Sequence, residues 1–191
     1  MLEFTREGML NLTRELVRIR SVSHTSGENE AADAIFSLLA EESYFREHPG
    51  FLRFLPVEEG GLQRRAVLAF VRAGNETART VLLNGHFDVV DTDVCGDLAD
   101  LAFDADAYTA CMGQRDIPDD AREDLVSGNW LFGRGVMDMK AGLAMHMAYL
   151  AHMSRHRSEL RGNLLFLAVP DEEGSAVGMR GSVSGLCSFI R

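Results

Sequence analysis

Apolar residues between Glu3 and Arg20 fall at Met9, Leu12, Leu16 and Ile19. That three-or-four spacing lines one face of an amphipathic helix. Ser21 to Gly27 is polar and reads as a loop. Thr25 with Glu28 has the form of a capping box and predicts a second helix running to about Ser43. Its buried stripe would be Ala31, Ile35, Leu38 and Leu39. Phe51 to Val57 and Ala66 to Val71 carry strand character. Gly74-Asn75 predicts a turn ahead of a strand over Thr80 to Asn84, and Trp130 to Phe132 reads as another short strand. Met139 to about His156 has helical spacing, with Leu143, Met147 and Leu150 on one face. Leu164 to Val169 is apolar without a break, as expected of a strand covered on both faces. Strands alternating with helices predict an α/β domain with a mixed, mostly parallel sheet and flanking helices.

The 191 residues suffice for one domain with its own core. No apolar run exceeds Leu164 to Val169, far too short to span a bilayer, and no basic start precedes an apolar block at the N-terminus. Neither a membrane segment nor a signal peptide is expected. Cys95, Cys111 and Cys187 are widely spaced and form no CxxC pair, which speaks against a disulfide framework or a cysteine zinc site and for a reducing cytoplasm. A net charge of -10 disfavours a nucleic-acid footprint. The charge is concentrated: from Asp91 to Gly128 there are 11 acids and two bases. This stretch, at about 91–128, reads as a solvated surface insertion. The functional alternative is a negative rim that attracts a cationic substrate. Asp91-Thr-Asp93 begins like a calcium loop, but Cys95 and Ala102 stand where oxygen ligands are needed.

Three clusters of metal-type side chains sit at or just past the ends of predicted strands, where open α/β sheets bind ligands. In Gly85-His86-Phe87-Asp88, residues two apart in extended chain face the same way, so His86 and Asp88 share a pocket. Gly133-Arg134-Gly135 through Asp138-Met139-Lys140 allows a close backbone approach and places an acid near a helix start. Asp171-Glu172-Glu173 leaves the most apolar strand as three adjacent acids whose pKa values burial would raise unless a cation compensates. Alone, the first is an ordinary polar strand edge and the last a solvated turn. Their succession is what points to metal chemistry.

On these residues, with Ser21-Val22-Ser23 and Gly27-Glu28 upstream, the sequence resembles the di-zinc hydrolases that include succinyl-diaminopimelate desuccinylase, acetylornithine deacetylase, aminoacylase and glutamate carboxypeptidase. The acidic insertion and Gly128-Asn129-Trp130-Leu131-Phe132 make it most similar to the arginine-utilisation branch. The resemblance implies hydrolysis of an amide or peptide bond in an N-acyl amino acid or small peptide. It implies two Zn2+ ions, with Co2+ or Mn2+ as substitutes. His86 would ligate the first zinc, Asp138 would bridge both, and Glu173 would ligate the second. Asp88 would support the site as an acid behind the ligands, and Glu172 would be the general base. A cis peptide after Asp138 is also implied.

The family site takes two more ligands, an acid and a histidine further along, and Gly174 to Arg191 holds no Asp, Glu or His. The family's lid or dimerisation domain has no counterpart either. The chain is therefore expected to be the N-terminal part of a single catalytic domain, truncated and with little activity alone. Homodimerisation of the full-length protein stays open. A different reading is a non-catalytic remnant that acts as a binding or assembly module. A dinucleotide-binding oxidoreductase is disfavoured, because Asp138 replaces the third glycine of the Gly133-x-Gly135 fingerprint. His152 and His156, four apart, read as partners of a helix C-terminus rather than ligands.

Overall fold

The computed structural model describes residues 1–59 and 62–190. Strands β1 (Leu52–Glu59), β2 (Leu62–Val71), β3 (Thr80–His86) and β4 (Asn163–Val169) form one open sheet in the order β1-β2-β4-β3. The sheet is mixed and flanked by helices, as the alternating pattern predicts. It is not mostly parallel: β1–β2 and β2–β4 are antiparallel, and only β3–β4 run the same way. Too little chain separates β1 from β2 for the crossover a parallel pair requires. β4 is buried along its whole length. Its even-numbered residues Leu164, Phe166 and Ala168 face one core and Leu165, Leu167 and Val169 face another.

The first core is closed by α1 (Arg6–Arg18), α2 (Gly27–Ala40) and α6 (Ala141–Arg155). Leu12 and Leu16, Ile35 and Leu39, and Leu143, Met147 and Leu150 supply the expected stripes. The second core packs Leu55, Val57 and Leu68 under α7 (Val177–Ile190), through Val177, Met179 and Leu186. The predicted Thr25–Glu28 box is not made. Thr25 donates to the Val22 carbonyl, and the Glu28 carboxylate accepts the His24 N–H. α2 stops at Ala40 rather than Ser43, because Glu42 turns inward to accept from the Leu2 N–H and Arg155. The short α3 (Ser43–Glu47) follows.

Trp130 to Phe132 joins no sheet. The Phe132 N–H donates to the Thr109 hydroxyl of α4 (Ala105–Met112) at 2.8 Å, so that donor needs no strand partner. The acidic segment folds as a 3-10 stretch over Asp93–Leu101, α4 and α5 (Asp119–Ser127), anchored where Ala102 and Phe103 pack on Val89. Most of its acids are exposed, and Asp106 and Asp97 pair with Arg14 and Arg115. His152 and His156 stack at 4.2 Å with His156 Nδ1 on the His152 carbonyl, an arrangement of a helix end. Among the described residues no helix is long and apolar enough to cross a membrane.

Burial lowers the His146 imidazole on α6, and among the described residues its Nδ1 has no hydrogen-bond partner. The unfolded chain therefore binds the proton more readily than the folded one. Stability is expected to be full above about pH 6.5 and to fall as pH drops through the lowered folded value. Urea melts of wild type and His146→Leu across pH 5 to 8 should show a smaller acid-side decline in the variant.

Candidate metal centre

Parallel pairing sets His86 at the end of β3 opposite Val169 at the end of β4. Residues just past β4 therefore meet His86 at one edge of the sheet. The third contribution comes from the chain entering α6, a π-type turn over Val136–Lys140. Gly135 opens that turn at φ 74 and accepts the Lys140 N–H. A Cβ there would lie 2.4 Å from Val89, so the approach of this turn to the sheet requires glycine. Lys140 is buried, and its Nζ donates to the Ile19 carbonyl beyond α1 at 2.7 Å. Burial pulls its ammonium down to about 7, against the opposing charge of Asp88. The Asp138–Met139 peptide is cis, as the resemblance implies.

His86 Nδ1 faces the Asp88 main-chain carbonyl at 3.0 Å, and its Nε2 lies 2.9 Å from Asp138 Oδ1 and 3.7 Å from Glu172 Oε2. Burial lowers the imidazole, but hydrogen bonds with Asp88 and Asp138 together outweigh it and raise the ring to about 9. A cation arriving at Nε2 must displace that proton. Donor atoms of His86, Asp138 and Glu173 lie within 4.8 Å of one another, and these three could hold a metal ion. Asp138 is 73% exposed and Glu172 54%, so the open side of the group faces solvent.

Asp88 stands behind this group and is fully buried. Its Oδ1 accepts the Glu172 N–H at 3.0 Å, and its Oδ2 accepts the Ser23 hydroxyl at 2.7 Å and the Glu173 N–H at 3.1 Å. Burial raises the carboxyl, but hydrogen bonds from His86, Ser23 and the two glutamate amides carry it below its ordinary value. Glu173 is pushed up, first by burial and then by the charge of Asp138. An imidazole and two carboxylates, one of them raised by its acidic neighbour, are the donor set that a divalent cation relieves. The residues present fit such an ion.

All five expected site residues thus converge. The first acid of the Asp171-Glu172-Glu173 run does not: Asp171 turns away and is buried against Arg64. Nothing in the sequence assigns an individual role to Arg64, Ser23 or Lys140.

An imidazole and carboxylates gathered at the strand ends of a mixed sheet define a class of metal-binding α/β domain. Residues 82–189 match the peptidase family M20/M25/M40. The chain belongs to that family. It is 36% identical over 175 residues to Protein RocB of Bacillus subtilis, covering 92% of this chain and 31% of RocB. It is 31% identical over 169 residues to a succinyl-diaminopimelate desuccinylase of Methylobacterium nodulans, covering 88% of this chain and 35% of that protein. The chain thus spans about a third of the length of these curated relatives. The fold is similar to that of an M20 family metallo-carboxypeptidase, Sso-CP2, from Sulfolobus solfataricus. The TM-score is 0.62 at 19% identity, over 96% of this chain and 35% of the other.

Proposed function

We propose that residues 1–191 form the N-terminal part of the catalytic domain of a metal-dependent amide hydrolase, with the acidic stretch at about 91–128 as an insertion. The observation that carries this is the convergence of His86, Asp138 and Glu173 within 4.8 Å, with Glu172 alongside. His86, Asp138 and Glu173 would hold the metal, with Asp138 the carboxylate available to both ions. Two zinc ions held there would polarise an amide carbonyl and ease deprotonation of water. Glu172, half-exposed beside His86, takes the proton of the attacking water and returns it to the leaving amine. Asp88 holds the Glu172 and Glu173 backbone and supports His86 through Nδ1. The substrate is an N-acyl amino acid or short peptide. A basic side chain suits the exposed acids between Asp91 and Asp124, and the resemblance of the acidic insertion and Gly128 to Phe132 to the arginine-utilisation branch supports a place in arginine utilisation. A cytoplasmic setting suits the three free cysteines.

Metal content tests the division of labour between the two glutamates. In protein purified without chelator, elemental analysis should find divalent metal retained in Glu172→Gln and lowered in Glu173→Gln. Equal loss in both variants, or in neither, would refute the assignment. Two ions sharing His86, Asp138 and Glu173 have fewer protein ligands than the three usual for catalytic zinc. Residues 1–191 alone are therefore expected to hydrolyse acylated basic amino acids slowly or not at all. The same shortfall favours, as a second reading, a binding or assembly module that acts without catalysis.

A further inference from the structure

Beside the metal group lies a buried ionic cluster. Arg64 of β2 has a side chain 3% exposed, with Nη1 at 3.1 Å from Asp171 Oδ1 and 3.5 Å from Glu28 Oε2. Both carboxylates are fully buried. His24 closes the outer side: its Nε2 is 2.9 Å from Asp171 Oδ1, and its N–H donates to Glu28 Oε2 at 3.0 Å.

The cluster joins the two segments that feed Asp88. The loop with His24 also carries Ser23, whose hydroxyl reaches Asp88. The segment with Asp171 continues directly into Glu172 and Glu173, whose amides reach the same carboxylate. Asp171 has φ 59, and it closes its own turn by accepting the Ala176 N–H on its carbonyl and the Val177 N–H on Oδ2. Gly174 lies inside that turn, where a Cβ would come within 2.5 Å of both Asp171 Oδ1 and His24 Nε2. An apolar trio would fill the space at lower desolvation cost. The ions instead fix the path of the backbone from which both glutamates project.

We infer that Arg64, acting through Glu28 and Asp171, is a positioning residue that sets Glu172 and Glu173 against His86 and Asp138. The purpose of that positioning rests on the metal reading above; the positioning itself does not.

Amide hydrogen exchange by NMR on the metal-free 191-residue chain tests it. Arg64→Met should speed exchange at the Glu172 and Glu173 amides about tenfold relative to core amides such as Phe166 and Met147, and Arg64→Lys should restore part of the protection. In parallel, Co2+ titration should give an affinity weaker by about tenfold or more in Arg64→Met. Exchange at Glu172 and Glu173 within about twofold of wild type, or a uniform rise across all amides, overturns the inference. If Arg64→Met does not fold, Glu28→Gln, which preserves shape, is read by the same criteria. A wild-type chain that binds no Co2+ would overturn the metal reading, and the exchange data would still decide the positioning.

Discussion

Replacing Asp138 by alanine should strip the chain of divalent metal and leave its fold intact. Asp138 is 73% exposed, so truncation removes little packing, and the buried partner it leaves is His86 Nε2, 2.9 Å away. It also removes the charge that pushes Glu173 up. That relief offsets part of the loss at His86, so the metal-free protein should lose about 1 kcal/mol of stability and stay folded. Metal binding has no such tolerance. Asp138 is the carboxylate nearest His86 Nε2, at 2.9 Å, and it is the residue proposed to serve both ions. Loss of partners that merely support a ligand costs roughly 10–100-fold in affinity, and loss of a bridging ligand should exceed that. Elemental analysis of protein purified without chelator, paired with thermal melts of both proteins after metal removal, separates the two effects. Wild-type metal content in Asp138→Ala would refute the site.

Asp88→Asn should damage both stability and metal affinity. Asparagine has nearly the same shape, so packing is not the issue. Both carboxylate oxygens accept hydrogen bonds: Oδ1 from the Glu172 amide, Oδ2 from Ser23 and the Glu173 amide. A carboxamide offers one acceptor oxygen and an NH2. Whichever way it is turned, an NH2 faces a buried N–H. Leaving such groups unmatched costs about 1–3 kcal/mol. His86 also loses the acid beside its Nδ1, which should weaken metal binding roughly 10–100-fold. Urea unfolding and a Co2+ titration of the same preparation would measure the two losses. A variant unchanged in both would mean that Asp88 is a bystander.

Much of this arrangement was legible from residue order. The unbroken apolar run of β4 foretold a strand buried on both faces, and the three-or-four spacing of Leu143, Met147 and Leu150 foretold the face of α6. His86 and the glutamate pair could be placed at strand ends because apolar runs precede them. Pairing was not legible, because antiparallel contact between β2 and β4 joins residues about a hundred positions apart and leaves no local mark. Trp130 to Phe132 misled because aromatic residues favour strands, while the Thr109 hydroxyl satisfies the Phe132 N–H instead. Glu28 looked like a cap residue, and its carboxylate was taken by the buried cluster. One signal for Arg64 was available. It lies in phase with Ala66 and Leu68, on the face of β2 that packs under α7, whereas Arg65 points to the opposite face and pairs with Asp33.

The three donors come from β3, the turn before α6 and the exit of β4, with 52 residues separating His86 from Asp138 alone. An unfolded chain holds no such chelate. A bound ion therefore acts as a ligand of the native state only, adding about 2.7 kcal/mol when free metal exceeds Kd a hundredfold. With an ion so bound, melting temperature would be a function of metal concentration, and a chelator would lower it. A stability measured for such a protein would be defined only together with the metal in its buffer.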